Sequence, residues 1–201
     1  YVIAGDGCLM EGISHEAASM AGHMELDRLI VLFDDNGISI DGSTDLTVSE
    51  DTTGRFEAYG WQVLSVDGHD MDAVSDAIAT AKAADDRPSL IRCRTVIGFG
   101  APQKAGTSGA HGAPLGDTEI EGTRAALGWT HAPFEIPADI ANAWRDVGSR
   151  GAAARADWTK RHAAADSVDF DTAMRGDYGA AVNDAIVGWK ETLAADPQKI
   201  A

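Results

Sequence analysis

Gly5-Asp6-Gly7, Asp34-Asp35-Asn36-Gly37-Ile38 and His111 carry the residue types that can hold a charged ligand. Glycines let the main chain approach closely, and free N–H groups at a following helix start can meet phosphate oxygens. The carboxylate of Asp6, the amide oxygen of Asn36 and a main-chain carbonyl make a hard, all-oxygen donor set. Such a set suits Mg²⁺ when phosphate oxygens and water complete about six positions. Asn36 lies 30 residues beyond Asp6, the length of one strand–helix–strand crossover, so the two side chains can share one sheet edge and face one cation. Read singly, Gly-Asp-Gly also fits a tight turn and Asp-Asp-Asn-Gly a strand end; the pair is more specific than either part. His111 sits in a glycine-rich stretch with no helical or strand face to account for it, where a histidine invites a functional reading.

These groups need a frame. Short apolar runs rich in β-branched residues at Tyr1 to Ala4, Leu29 to Phe33, Gln62 to Val66 and Ser89 to Ile97 predict buried strands. Between them lie helical patterns over Glu11 to Met24, Asp51 to Tyr59 and Asp70 to Ala84, the last with Met71, Val74, Ile78 and Ala81 at helical spacing. The alternation predicts an α/β fold, a parallel sheet with helices on both faces, and puts Gly5-Asp6-Gly7 at the carboxyl end of a strand, where open sheets bind ligands. From Gly98 to Gly116, six glycines and two prolines without periodicity predict a long loop. Beyond Pro133 the composition turns alanine-rich and predicts an α-helical extension, with helices over Pro137 to Asp146, Ala152 to Ala165, Phe170 to Arg175 and Tyr178 to Ala195. No internal repeat is present.

The 201 residues hold 16 Lys plus Arg against 32 Asp plus Glu, a formal charge of −16. That balance excludes the extended basic surface needed to bind nucleic acid or an anionic membrane, so an anionic ligand has to be held locally. No apolar run approaches the roughly 20 residues that span a bilayer. The chain opens on Tyr1-Val2-Ile3-Ala4 with neither a basic leader nor a cleavage pattern. Cys8 and Cys93 form no disulfide framework and no metal-binding CxxC, so a reducing cytoplasm is expected. The missing initiator Met and the immediate strand-like run point to a piece of a longer polypeptide.

Competing motifs fail on their spacing. Counted from Asp34 as an EF-hand, the fifth and sixth positions are Ile38 and Ser39 rather than an oxygen ligand and glycine. His15-Glu16 lacks a second histidine at Ser19. Gly5-x-Gly7 is followed by Met10, and Gly98-x-Gly100 by Gln103, where a dinucleotide fingerprint wants Gly or Ala. No Walker-type run exists.

The segment from Gly5-Asp6-Gly7 through Asn36 resembles the thiamine-diphosphate motif, and its wording, GDGCLMEGISHEAASMAGHM followed by DDNGISIDG, is similar to that of the transketolase family. Arg55-Phe-Glu-Ala-Tyr-Gly-Trp61, Ile97-Gly-Phe-Gly-Ala-Pro-Gln-Lys-Ala-Gly and Ala110-His-Gly-Ala-Pro-Leu-Gly116 extend the resemblance over most of residues 1–135. It implies a partial thiamine-diphosphate-binding domain at 1–135 and, at 136–201, a helical linker toward a pyrimidine-binding domain that these residues do not contain. By the same resemblance, Asp6 and Asn36 bind the divalent cation, Mg²⁺ or another such as Ca²⁺, through side-chain oxygens, and Ile38 binds it through its carbonyl. Gly7 lies against the diphosphate. Ile40 and Ile97 give apolar contacts to the cofactor rings, with core packing the alternative for Ile40. Glu11 faces a partner subunit near the cofactor, or is an exposed acid in the first turn of a helix. His111 contacts the diphosphate and the sugar substrate and can move a proton.

The implied activity of the parent is transfer of a two-carbon ketol unit from a ketose phosphate to an aldose phosphate in the pentose phosphate pathway, by a cytoplasmic homodimer acting on sugar phosphates. The chain by itself is expected to be inactive, because half of the site lies elsewhere. Two alternatives stay open: a relative of the dihydroxyacetone synthase type, and a non-catalytic half-domain that binds Mg²⁺ and diphosphate. Asp34 either orients neighbouring polar groups or ends a strand. Cys8 reads as a buried structural thiol, Lys104 as a solvated loop residue left unassigned, and His15 as packed. His23, His69, His131 and His162 carry no assigned role, with Asp70 a helix cap beside His69. Trp129, Trp144, Trp158 and Trp189 read as helix packing in the extension.

Overall fold

Four short strands alternate with helices from the first residues onward. In the computed structural model, which describes residues 1–176 and 179–197, β1 is Val2–Gly5, β2 Ile30–Asp35, β3 Gln62–Asp67 and β4 Ser89–Arg94. All pairings are parallel, in the order β1-β2-β4-β3, with Gly5 level with Asp34 and Asp35 level with Arg94. Helices α1 (Asp6–Met10) and α2 (Gly12–His23) join β1 to β2, α3 (Thr52–Ala58) precedes β3, and α4 (Met71–Ala83) joins β3 to β4.

The two faces follow from strand alternation. Val31, Phe33 and Leu90 turn toward Leu9, Ala18, Ala21 and Phe56 of α1, α2 and α3. Their neighbours Ile30, Leu32, Ile91 and Cys93 turn the other way, against Ala77 and Ala81 of α4. Helices cover both faces, as the alternating pattern predicts. Trp61 joins the first core: it is 4% exposed, meets Phe56 edge-on at 5.0 Å and donates its indole N–H to the carbonyl of Ala18 at 2.9 Å. Trp61→Ala is therefore expected to cost about 3–5 kcal/mol of stability in urea unfolding; a loss under 1 kcal/mol would show that this contact between α2 and the residue before β3 is dispensable.

β1 is the edge of this sheet, paired with β2 alone among the described residues. Ile3 is 81% exposed, and Val2, Ile3, Ala17 and Trp61 line an open apolar groove beside it.

Some local expectations change. Asp6 begins α1 directly after Gly5, so the Gly-Asp-Gly segment is a strand-to-helix junction rather than a turn of its own. The helix predicted from Glu11 to Met24 is α2, and a short helix the pattern does not reveal, α1, precedes it; the extended backbone of Glu11 closes α1 and opens α2. β4 stops at Arg94, and Thr95 to Ile97 leave the sheet. The long loop is followed by a helix the sequence pattern does not reveal, α5 (Asp117–Ala126), which ends before Gly128 in a left-handed conformation (φ 66°).

The chain divides into two compact units, Tyr1–Thr130 and His131–Ala201. The second holds helices α6 (Ala138–Ser149), α7 (Ala152–Ala164), α8 (Val168–Arg175) and α9 (Ala181–Ala195), with no strand among its described residues. The predicted start of the last helix, Tyr178, lies outside the described residues. Trp158 packs as expected, stacked on His162 at 4.8 Å and beside Phe170. Trp144 and Trp189 do not: they are 74% and 58% exposed on apolar helix faces. Among the described residues no helix is long and apolar enough to cross a membrane.

Candidate functional site

The carboxyl ends of β1, β2 and β4 open onto a cleft of about 860 Å³. Its walls come from four separate stretches: residues 5–8 and 11, Asp34, Asn36 and residues 38–40, residues 95–98, and His111. All eight residues singled out from the sequence, Asp6, Gly7, Glu11, Asn36, Ile38, Ile40, Ile97 and His111, line it.

Asp6 and Asn36 meet at its floor. The main-chain N–H of Asn36 donates to Asp6 Oδ2 at 3.3 Å, which follows from Gly5 standing level with Asp34 in the parallel register. The Asn36 amide is then fixed from both ends. Its Oδ1 accepts from the N–H of Ile38 at 3.0 Å, and its Nδ2 donates to Asp34 Oδ2 at 3.4 Å. Asp34 in turn accepts a hydrogen bond from the hydroxyl of Thr95. Asp34 therefore orients polar neighbours rather than merely ending a strand, and Thr95, which nothing in the sequence pattern marks, ties β4 into the site. Gly37 adopts φ 71°, the left-handed turn that folds residues 37–44 back on themselves through bonds from Ser39 N–H to the Gly42 carbonyl and from Thr44 N–H to the Gly37 carbonyl.

Behind this layer, Asp35 is buried and paired with Arg92 and Arg94, the latter at 3.0 Å, which offsets the cost of burying its charge. Arg55 of α3 reaches under α1, donating to the carbonyl of Leu9 at 3.2 Å while pairing with Glu50 at 3.3 Å. His15 packs against Arg55 and stays out of the cleft.

Burial pushes the Asp6 carboxyl above the ordinary carboxylate range, with the nearby Asp35 charge acting in the same direction and the N–H of Asn36 opposing both. A carboxylate that is costly to ionise alone is one that a cation would stabilise. Among the described residues no group of three His, Cys, Asp or Glu side chains could hold a metal ion. A cation here would thus draw on Asp6, the amide of Asn36, a main-chain oxygen and oxygens of the ligand itself, a set for hard ions. A Cβ built on Gly7 meets nothing within 4 Å, so the cleft has free space where a ligand can approach the α1 backbone. The residues present fit a metal–diphosphate group.

Glu11, at the junction of α1 and α2, is exposed on the rim and is not in the first turn of a helix. Ile40 is 71% exposed, which rules out core packing and leaves its side chain on the rim. Cys8, expected to be buried, is exposed and lines the cleft; the buried thiol is Cys93, where burial pushes the pKa up. His69 has a structural job, its Nε2 accepting from the N–H of Val96 at 2.9 Å and its ring stacked on Phe99 at 4.0 Å. Asp70 caps α4 by accepting from the N–H groups of Asp72 and Ala73 at 3.0 Å each.

A parallel α/β sheet with a cleft at the carboxyl ends of its strands, floored by a carboxylate and an amide beside glycine backbone, defines the class of open α/β domains that bind ligands at this edge. Comparison with known proteins narrows it. Residues 1–177 match the family described as transketolase, thiamine diphosphate binding domain. A transketolase of Cereibacter sphaeroides is 52% identical over 202 residues, which cover the whole chain and 30% of that relative. Among solved structures, the transketolase of Leishmania mexicana superposes with a TM-score of 0.78 at 37% identity, over 87% of this chain and 28% of that one. A Pichia stipitis transketolase in complex with sedoheptulose-7-phosphate gives 0.75 at 41% identity, over 82% and 25%. The chain belongs to the transketolase family. It spans about 30% of the length of the curated relative it matches over its whole length.

Proposed function

We propose that the cleft holds the diphosphate end of thiamine diphosphate with a divalent cation, Mg²⁺ or in its place Ca²⁺. The parent enzyme would transfer a two-carbon ketol unit from a ketose phosphate to an aldose phosphate. The observation that carries this reading is the convergence of Asp6, Gly7, Asn36, Ile38 and His111, from three distant stretches, on one cleft at the strand ends.

Asp6 and Asn36 would hold the cation through side-chain oxygens and Ile38 through its carbonyl, while Gly7 presents bare backbone to the diphosphate. Ile40 and Ile97 offer apolar contact to the cofactor rings, and Glu11 projects at the rim where a partner subunit would complete the site. His111 would touch both diphosphate and sugar, placed to take or give a proton at a substrate hydroxyl. The bound cofactor supplies the electron sink for breaking the carbon–carbon bond beside a ketose carbonyl. A relative's complex with sedoheptulose-7-phosphate supports sugar phosphates as the substrate class.

In this reading residues 1–135 are part of the diphosphate-binding domain and residues 136–201 lead toward a pyrimidine-binding domain, although the family match continues to residue 177. The parent would act as a cytoplasmic homodimer in the pentose phosphate pathway. Titration calorimetry of the 201-residue chain with thiamine diphosphate is expected to show binding with Mg²⁺ and none with EDTA, and a coupled assay is expected to show no ketol transfer. Binding indifferent to EDTA would remove the metal–diphosphate reading. Turnover by the isolated chain would show that the residues here suffice for catalysis.

A further inference from the structure

His111 and the loop that carries it, residues 98–116, have almost no regular structure, only a single 3₁₀ turn at Ser108–Ala110. What holds the loop in place is an acid beyond its end. Glu119, in the first turn of α5, is 9% exposed, and its Oε2 accepts the main-chain N–H groups of both Gln103 and Lys104, at 3.0 and 3.1 Å. Two consecutive amides on one buried carboxylate oxygen form a charge-assisted staple.

The staple depends on close approach. A Cβ on Gly122, one turn along α5, would lie 2.2 Å from Cγ of Pro102, so only glycine lets the helix sit against the loop stem. From the stapled residue the loop is closed a second time: Lys104 extends its ammonium group to the carbonyl of Pro114 at 3.0 Å, on the far side of His111. The N–H of Gly106 returns to the carbonyl of Ile97 at 2.8 Å, joining the loop to the cleft wall. Lys104, left unassigned from the sequence, thus forms a clasp across the loop through an exposed hydrogen bond.

We propose that Glu119 is a positioning residue for ligand binding: by fixing Gln103 and Lys104 it sets the loop that presents His111 to the cleft. This rests on the reading of the cleft as a diphosphate site. A purely structural acid would stabilise α5 and leave the ligand indifferent; a positioning acid acts through His111, so the two side chains must be coupled.

The test is a double-mutant cycle on the 201-residue chain, with the Kd for thiamine diphosphate in Mg²⁺ as readout. Glu119→Ala is expected to weaken binding roughly tenfold or more, in the range found for residues that orient first contacts. Adding His111→Ala should then cost little further. Glu119→Gln keeps an oxygen acceptor and is expected to recover much of the affinity. It also covers the case in which the alanine variant does not fold. Hydrogen exchange should quicken at Gln103, Lys104 and along residues 105–112 in Glu119→Ala while the β-sheet amides stay protected. Additive losses, or unchanged affinity in a folded Glu119→Ala chain, would overturn the proposal. Absence of metal-dependent binding in the unmutated chain would instead remove the site reading on which it stands.

Discussion

Asp6→Asn is expected to raise the Kd for thiamine diphosphate in Mg²⁺ at least about 100-fold, above the range seen when residues behind metal ligands are changed. The substitution keeps the shape and one oxygen acceptor for the N–H of Asn36, but removes the charge that the cation requires. Its effect on the metal-free chain runs the other way. Burial holds the folded-state pKa of Asp6 above its unfolded value, so across that interval the folded chain retains a proton that the unfolded chain has released. Stability therefore falls as pH rises through the interval, and above it the ionised Asp6 is a net cost. Asparagine has no such dependence, so denaturant unfolding of the metal-free variant should show a flatter pH profile and at neutral pH a stability equal to or above that of the unmutated chain. The pair of results, weaker binding with undiminished stability, marks a group kept for its ligand at the expense of the fold. Parallel loss of both would mean that Asp6 serves only to join β1 to β2.

Gly7→Val gives the second large separation of binding from folding. Nothing lies within 4 Å of the Cβ position, and valine suits a helix at least as well as glycine, so the stability change should stay within about 0.5 kcal/mol. With ligand present, the added side chain occupies the space where diphosphate would meet the α1 backbone. Crowding of this kind typically costs about 1–3 kcal/mol, so affinity should drop roughly ten- to a hundredfold. Calorimetry beside thermal unfolding reads both quantities, and undiminished affinity in Gly7→Val would move the diphosphate away from α1.

The floor of the cleft was legible in the sequence because two simple rules act on it. A strand–helix–strand crossover brings successive strand ends to one edge, and Asp6 and Asn36 sit at those ends. The strands themselves were legible from runs such as Ile30 to Phe33, whose alternate residues feed two different cores. What escaped were elements without an apolar stripe. α1 has five residues, too few to show a period, and turns Cys8 into the cleft rather than the core. α5 is held by Gly122 against Pro102 and by Glu119, the one buried residue on the helix, so hydrophobic periodicity has nothing to report there. Thr95 supports the site through one hydrogen bond to a partner 61 positions away, and Glu119 through two to partners 15 and 16 positions away, which local pattern cannot reveal. Along α6 and α9 the periodic apolar residues are real, but Trp144 and Trp189 remain largely exposed, since periodicity predicts a face and not what covers it.

Among the described residues β1 pairs with β2 alone, so in the isolated chain its outer side offers a row of main-chain donors and acceptors flanked by Val2 and Ile3. Unlike the Lys-rich, bulged or covered borders that keep soluble proteins apart, this border is bare and greasy. Preparations of the chain on its own will accordingly be prone to self-association by strand addition. Dilute handling, or a fusion partner that shields this side, belongs in any protocol meant to measure its ligand binding.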